Sequence, residues 1–252
     1  MKQVFLPVIF FCLLSGCGKH NDKPGDPGNR PDPIPPPDVR IRSINNDTYS
    51  YDSLGRLSQA LYSNSIVVRT DYAYTNTAVI ATDFDGNGNV HPGGAVATIG
   101  PNGLATEQKY KFDPGMPALV LSFTYNAKRQ LVEELESNEG TAPDLRTVYY
   151  YSQYDLDSLK VYYVPDNTLI ASDRFEYYTD KYNTLGRESN GISFLGVWSA
   201  HLVKKDVQVN GGATPVTTVT EYTYEFDAQN RAVKSHKIVN GTTYPEVNYT
   251  YY

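Results

Sequence analysis

The sequence predicts an all-β fold, a long twisted antiparallel meander of tandem hairpins that can curl into a half-barrel. Three observations predict it. The 252-residue chain holds 22 tyrosines together with many valines and threonines, which favour strands. Clusters of Gly, Asn and Asp interrupt the chain at short intervals, and stretches of helical period are few. A hairpin pattern also recurs, most clearly at residues 49–57.

The repeated unit is a strand end followed by a tight turn. In its first copy Tyr51 ends a strand and Asp52 opens a turn whose fourth residue is Gly55. Glycine takes positive φ without a steric penalty, which is typical of the three-residue hairpin loop. The register then places Asp52 opposite Arg56 and Tyr51 opposite Leu57, so that each face carries a matched pair.

Further copies vary the turn. The copy at 182–188 keeps the polar opener, the glycine and the arginine, whereas the copy at 226–232 has an asparagine at the glycine position. The copy at 125–131 has Arg129 there, which predicts a different turn type. The predicted turn residues are Asp52, Gly55, Arg56, Asn183, Gly186, Arg187, Asp227, Asn230 and Arg231.

This unit resembles the YD-type repeat, and its setting resembles a family of Bacteroidetes lipoproteins with a domain of unknown function of the DUF4595 type. Residues 100–106, followed by 110–113, are similar to another recurrent element of that family. The resemblance covers residues 40–252 in rhythm. It implies a β-meander fold and a cell-envelope location, and it implies no catalytic residue.

The N-terminus predicts a lipoprotein signal. Lys2 precedes an apolar run at 4–14 that is too short for a permanent membrane helix. The following Leu14-Ser-Gly-Cys17 resembles a bacterial lipobox, so we predict a signal peptide at 1–16 and acylation of Cys17. An ordinary signal peptide with a chance cysteine is the alternative. Cys12 would leave with the signal peptide, so no disulfide is expected.

Two regions are predicted after the signal peptide. Residues 17–38 are rich in proline and form a tether that favours extended polyproline conformations. Gly18 stands where an aspartate would resemble an inner-membrane retention signal, so outer-membrane sorting is expected; the surface and periplasmic faces stay open. Residues 39–252 form a single β domain.

Within that domain, alternation and turn residues predict a series of strands. They are expected at 41–51, 57–63, 66–74, 78–83, 95–99, 105–112, 118–125, 131–136, 146–154, 158–164, 169–178, 187–194, 202–209, 216–226, 231–239 and 243–252.

Aromatic residues two apart recur on these strands, for example Tyr222 and Tyr224. We expect a half-buried cross-strand ladder whose hydroxyls reach water at the sheet edge; the alternative is an aromatic platform for sugar rings. Trp198 is the only tryptophan and breaks the repeat rhythm. It is expected in the core, with ligand contact as the alternative.

The stretch that begins at Asp83 is a candidate calcium-binding loop. Asp83, Asp85 and Asn87 match the first half of a calcium loop, in which oxygen side chains alternate. The match then fails, because His91 and Gly94 stand at the ninth and twelfth positions, and the twelfth needs a bidentate glutamate. The same residues make a good hairpin turn. No other cofactor is predicted.

The sequence favours binding over catalysis. It has no His-Glu-x-x-His pair and no phosphate loop, and residues 191–195 fail the nucleophile-elbow pattern, so no catalytic residue is predicted. A formal net charge of −6 argues against nucleic-acid binding by charge alone.

The expected function is that of an outer-membrane lipoprotein held by its lipid anchor, a non-catalytic binding or interaction module for an unknown protein or glycan. The alternatives are a carrier that holds an apolar ligand inside the curled sheet and an unrecognised hydrolase.

Overall fold

The computed structural model describes residues 39–112, 115–186, 189–211 and 214–252. The predicted signal peptide, Cys17 and the tether lie outside the described residues. The strands are β1 (Ile41–Ile44), β2 (Asp47–Tyr51), β3 (Leu57–Leu61), β4 (Arg69–Tyr74), β5 (Ala78–Phe84), β6 (Gly94–Ile99), β7 (Ala105–Lys111), β8 (Leu119–Tyr125), β9 (Leu131–Asn138), β10 (Leu145–Ser152), β11 (Asp155–Tyr163), β12 (Thr168–Tyr182), β13 (His201–Asn210), β14 (Val216–Phe226), β15 (Ala232–Val239), β16 (Thr242–Thr243) and β17 (Val247–Tyr251), with a 3-10 helix at Ser193–Leu195.

The sheet closes into an antiparallel barrel of 16 strands, with the two-residue β16 as an extra strand beside β15. Consecutive strands pair from β1 to β15, β15 pairs with β17, and β1 pairs with both β2 and β17. The all-β antiparallel meander is therefore confirmed, and its curl is complete. Closure leaves no edge strand in the ring, since every strand finds two partners.

The barrel has two different ends. The turn end holds the connections that follow the even-numbered strands up to β14, together with residues 39–40 and 252; these connections are 52–56, 75–77, 100–104, 126–130, 153–154, 183–200 and 227–231. The loop end holds the connections 45–46, 62–68, 85–93, 112–118, 139–144, 164–167, 211–215 and 240–246. This division follows from antiparallel pairing, because successive connections alternate between the ends.

The turn at Asp52 has the predicted geometry. The N–H of Asp52 donates to the carbonyl of Arg56 over 2.9 Å, Gly55 has a φ of 72°, and Tyr51 lies opposite Leu57. The Asp52 carboxylate also accepts the backbone N–H and the guanidinium of Arg56. This carboxylate holds the loop shut from inside the turn.

The copy at Asp227 repeats these contacts. Asn230 has a φ of 62°, and the guanidinium of Arg231 lies 2.7 Å from the Asp227 carboxylate. The prediction that asparagine replaces glycine at the left-handed position is confirmed.

The prediction for the copy at Asn126 was wrong, because its turn type is unchanged. Arg129 adopts a φ of 63°, and its N–H donates to the Asn126 carbonyl over 3.0 Å, as Gly55 does to Asp52. The Asn126 side chain accepts the N–H of Gln130, so the polar opener and the strand pairing hold Arg129 in a conformation that it rarely adopts.

The copy of the repeat that begins at Tyr182 does not form a hairpin, because the chain after its turn enters the lumen of the barrel. Asn183 still opens a turn, since its side-chain oxygen accepts the N–H of Leu185, but the strand predicted at 187–194 is absent from the described residues there. Gly191 and Gly196 have φ values of 68° and 79°, which end any strand. Arg187 lies outside the described residues. We call residues 183–200 the inner segment.

The inner segment crosses the barrel at the turn end. Its contacts reach strands and turns around the whole ring, namely Ile41 of β1, Leu57 of β3, Tyr74 of β4, Arg129 between β8 and β9, Tyr154 between β10 and β11, and Ala232 of β15. A segment on the outside could not reach them all, so it closes the lumen at this end.

Inward tyrosines fill the rest of the turn end. Their hydroxyls donate to backbone carbonyls, from Tyr51 to Ile41, Tyr74 to Leu57, Tyr177 to Leu156, Tyr224 to Val203 and Tyr251 to Ala232. The expectation that these hydroxyls reach water is therefore wrong. The pairs that contain these tyrosines are core, because the closed barrel turns their shared face inward, whereas Phe112, beside Tyr110, is exposed at the loop end.

The outer wall carries charge along the strands. Arg146 on β10 lies 2.7 Å from Glu133 on β9, and Lys234 on β15 lies 3.7 Å from Glu225 on β14. These pairs face outward, because the residues that alternate with them, such as Tyr149 and Tyr224, are in the core. None of the helical segments in the described part of the chain has the length and apolarity that a membrane crossing requires.

Candidate functional site

A cavity of about 360 Å³ lies inside the barrel, between the wall of β4 to β7, the loop end and the inner segment. It is lined by strand residues Thr70, Tyr72, Ala81, Asp83, Gly94, Ala95, Gln108, Tyr110 and Lys111, by loop residues Tyr62, Val67, His91, Gly93 and Phe112, and by Ile192, Phe194 and Leu195 of the inner segment. Its size and mostly apolar wall, with a few polar groups, are typical of small-ligand pockets of roughly 300–1,000 Å³.

Small residues on two strands create this space. Ala81 on β5 lies opposite Ala95 on β6, and the flanking inward positions hold Tyr72 and Tyr110. Two alanines between two large rings leave a hollow that the wall cannot fill. Phe194 of the inner segment packs edge-on against Tyr74 and forms the floor.

A short polar network borders the cavity near the loop end. The Thr70 hydroxyl donates to the Asp83 carboxylate over 2.6 Å, and burial raises the pKa of the nearby Tyr72 above its usual range. Tyr72 therefore stays neutral, and Asp83 supplies an acceptor at the cavity wall.

Gln108 is the most unusual polar residue of the site. It is 8% exposed and lines the cavity, and its amide forms no hydrogen bond with any residue in the described ranges. Buried polar side chains normally have a partner. The amide therefore offers one donor group and one acceptor to whatever enters the cavity.

His91 has a defined tautomer when neutral. The N–H of Gly93 donates to His91 Nδ1 over 3.1 Å, so the imidazole proton lies on Nε2. A Cβ at Gly93 would lie 3.1 Å from both this nitrogen and the Lys111 carbonyl, so a larger residue would require a small shift of the His91 ring and the wall.

Tyr110 and Phe112 form an aromatic pair at the mouth. Their ring centroids lie 6.4 Å apart with an interplanar angle of 12°, so the rings are stacked and nearly parallel. The pair gives the mouth an aromatic surface on which an apolar ligand face can pack.

The predicted calcium residues lie at the edge of this site but in different environments. Asp83 faces the lumen and accepts from Thr70, whereas Asp85 accepts the backbone N–H groups of Asn87 and Asn89 within the turn. In the described part of the chain, no three or more His, Cys, Asp or Glu side chains gather as a metal cluster would. Calcium binding at Asp83, Asp85 and Asn87 stays a prediction.

The other predicted site residues lie elsewhere. Trp198 is 6% exposed and packs edge-on against Tyr149, with Leu131 and Leu156 in the same core cluster. It is not among the residues that line the cavity. The repeat-turn residues at Asp52 and Asp227 close hairpins at the turn end, and Asn183 opens the inner segment.

Sequence reasoning missed a buried pair beneath the inner segment. His201 Nδ1 lies 2.6 Å from the Asp155 carboxylate, which also accepts the N–H groups of Ala200 and His201. His201 Nε2 is buried without a partner in the described residues. The two residues are far apart in the chain and no local motif marks them. Their contacts fasten the end of the inner segment to the β10–β11 turn.

Sequence reasoning also missed two lumenal carboxylates across from the cavity wall. Burial and the neighbouring Asp206 raise the pKa of Asp173 to about 6, and burial raises the pKa of Asp206 as well. The hydroxyl of Tyr222 donates to Asp206 over 3.2 Å. This side of the lumen is acidic, whereas the cavity side is aromatic.

The fold and the cavity define a closed antiparallel β-barrel with a small lumenal pocket. Two solved structures share the fold. The chain is similar to a porin-like protein from Bacteroides uniformis, with 19% identity, a TM-score of 0.55, and coverage of 82% of this chain and 90% of that one. It is also similar to a porin-like protein from Bacteroides vulgatus, with 12% identity, a TM-score of 0.54, and coverage of 85% and 99%.

No protein-family model and no curated protein matches the sequence. The likeness to the two solved structures shows the fold, and the resemblance to the DUF4595-type family and the YD-type repeat stays a prediction.

Proposed function

We propose that the protein is a non-catalytic binding module of the cell envelope, held at the outer membrane by an acylated Cys17, which takes a small molecule into the lumenal cavity. The observation that carries the proposal is the cavity itself. It combines an apolar and aromatic wall with convergent polar groups, of which Gln108 lacks a partner in the described chain.

The arrangement of the two ends supports this proposal. The chain enters the barrel at the turn end, because Arg40 pairs with Tyr252 just before β1 begins. The inner segment closes that end. A tether that starts at Cys17 would therefore join the domain at its closed end, opposite the cavity mouth.

Carriage of an apolar ligand is the second candidate function. Exposed apolar side chains stand on three consecutive loops around the cavity, namely Ile66, Val90, Phe112 and Met116. Such an entrance favours a ligand with an apolar body. Because the two similar structures are those of porin-like proteins, a pore is a further candidate, but the inner segment across the lumen and the outward ion pairs speak against it.

Cavity filling tests the binding function. Ala95→Phe places a ring in the hollow, whereas Val96→Phe adds the same ring to the outer face of the same strand. We expect ligand-observed NMR with a library of small envelope metabolites to find binders of the natural protein that Ala95→Phe loses and Val96→Phe keeps. Binders that both variants retain equally would place the ligand outside the cavity.

Lipid attachment has a separate test. Cys17→Ser should release the protein from the membrane fraction and abolish labelling with radioactive palmitate, since the thiol is the acylated group. Retention of Cys17→Ser in the outer-membrane fraction would contradict an anchor at this residue.

A further inference from the structure

The chemistry of Gln108 restricts the class of ligand. An apolar ligand that covered this residue would seal an amide that has no partner in the described chain, and an unsatisfied buried amide is costly. A ligand with hydroxyl groups would satisfy the amide instead, because a hydroxyl both donates and accepts.

The other polar groups around the cavity fit the same ligand. Asp83 offers a carboxylate acceptor held by Thr70, and His91, whose Nδ1 accepts the N–H of Gly93, has Nε2 left to donate. Lys111 contacts the cavity wall through its carbonyl beside Gly93, since its side chain alternates with the inward Tyr110 and lies on the outer face. A set of one carboxylate, one amide and one imidazole favours a ligand with several hydroxyls over an anion, which the carboxylate would repel.

The aromatic groups complete the pattern. Tyr110 and Phe112 place a stacked pair of nearly parallel rings at the mouth. The apolar C–H face of a sugar ring packs on such a surface while its hydroxyls remain free for planar polar side chains. A long acyl chain would use the aromatic face but leave Gln108, Asp83 and His91 without a ligand partner.

From this geometry we infer that the cavity binds a neutral saccharide of mono- or disaccharide size, which stacks on Tyr110 and Phe112 and exchanges hydrogen bonds with the Gln108 amide. The inference rests on the proposed binding function and names its ligand class. Gln108 determines specificity for a hydroxylated ligand over an apolar one.

The test compares two classes of probe on the purified protein. One class is glucose, galactose, mannose, N-acetylglucosamine and their β-linked disaccharides, followed by saturation-transfer NMR and calorimetry. The other class is oleate, followed by displacement of a fluorescent fatty-acid probe. Gln108→Met keeps the side-chain length and removes the hydrogen bonds, Gln108→Glu keeps an acceptor without a donor, and Gln59→Met makes the same change on the outer face, where Gln59 bonds Asp71.

We expect saturable binding of at least one saccharide, a rise in its Kd of about 10- to 100-fold in Gln108→Met and Gln108→Glu, and a change of less than about twofold in Gln59→Met. Ala95→Phe should abolish binding. Circular dichroism verifies that each variant is folded, and Gln108→Glu provides the test if Gln108→Met is not.

Three outcomes would overturn the inference. If oleate binds, Ala95→Phe abolishes that binding, and no saccharide binds, the saccharide assignment fails and the binding function stands. If neither class binds, both fail. If a saccharide binds equally to the natural protein and to the Gln108 variants, the ligand lies elsewhere and the role of Gln108 is wrong.

Discussion

The two ends of the barrel use the same residue types in opposite ways. At the turn end, inward tyrosines such as Tyr224 and Tyr51 donate to backbone carbonyls and pack against the inner segment. At the loop end, Tyr110 borders a hollow, and polar residues such as Gln108 and Asp173 face the lumen. The bonded tyrosines of the turn end support the fold, whereas the ring of Tyr110 forms part of a cavity wall.

The largest expected loss of stability comes from a substitution that disrupts the inner segment at the turn end. Gly196 has a φ of 79°, and a Cβ there would lie 2.5 Å from the Arg129 carbonyl oxygen. Gly196→Ala should therefore lower the free energy of unfolding by about 3 kcal/mol or more, because both backbone strain and a backbone clash must be relieved. Urea unfolding followed by the fluorescence of Trp198, two residues away in the inner segment, measures it.

Gly88 at the loop end provides the matched control. It has a φ of 80°, but a Cβ there would meet nothing within 4 Å. Gly88→Ala should lose only about 1 kcal/mol, the intrinsic penalty of a left-handed alanine. Equal losses in the two variants would show that the inner segment is not tightly held.

Removal of a tyrosine hydroxyl should have an intermediate effect on stability, and the effect should differ between a buried tyrosine bonded to a carbonyl and an exposed one. Tyr224→Phe removes a hydroxyl that donates to the Val203 carbonyl over 2.9 Å and leaves that carbonyl unsatisfied in the core. We expect a loss of about 1–2 kcal/mol in urea unfolding. Tyr150→Phe removes the hydroxyl of an outward, exposed tyrosine and should change stability by less than about 0.5 kcal/mol. If the two losses were equal, tyrosine packing alone and not its carbonyl bonds would stabilise the turn end.

Local sequence patterns predicted most of the strands and hairpin turns, since period-two alternation and turn residues act over a few positions, but they missed the turn at 45–46 and predicted a strand at 187–194 that the described residues lack. Asp52 and Asp227 show this, because their side chains close their own loops. Arg129 shows the limit of such reasoning: the flanking strands force a left-handed conformation that the residue itself disfavours.

Closure, the inner segment and the cavity depend on contacts between distant positions. Ile41 and Tyr251 pair across the whole length of the domain, and no local pattern announces that pairing. The cavity needs Ala95 and Phe194, which meet only once the inner segment crosses the lumen. One signal was available, because Gly191 and Gly196 near the predicted strand at 187–194 argue for an irregular segment.

The smallest expected effect tests the polar loop-end lumen. Burial and Asp206 raise the pKa of Asp173 to about 6, above its ordinary value of 3.8. The folded state thus binds the proton more tightly than the unfolded chain, so this carboxyl lowers stability as pH rises from about 4 to about 6. Asp173→Asn keeps the shape without the charge and should raise the free energy of unfolding at pH 7 by about 1 kcal/mol, after allowance for solvent screening.

The stability difference between Asp173→Asn and the natural protein should depend on pH in a defined direction. Below pH 4 Asp173 is protonated in both states, so Asp173→Asn and the natural protein should have similar stability. The difference should grow through pH 4–6 and stay level above it. A difference that is constant with pH, or stabilisation that appears only below pH 4, would mean that Asp173 is not held as a neutral carboxyl. Asp173 would then be solvated like a surface carboxylate, and the loop-end lumen beside the cavity would not be partly desolvated.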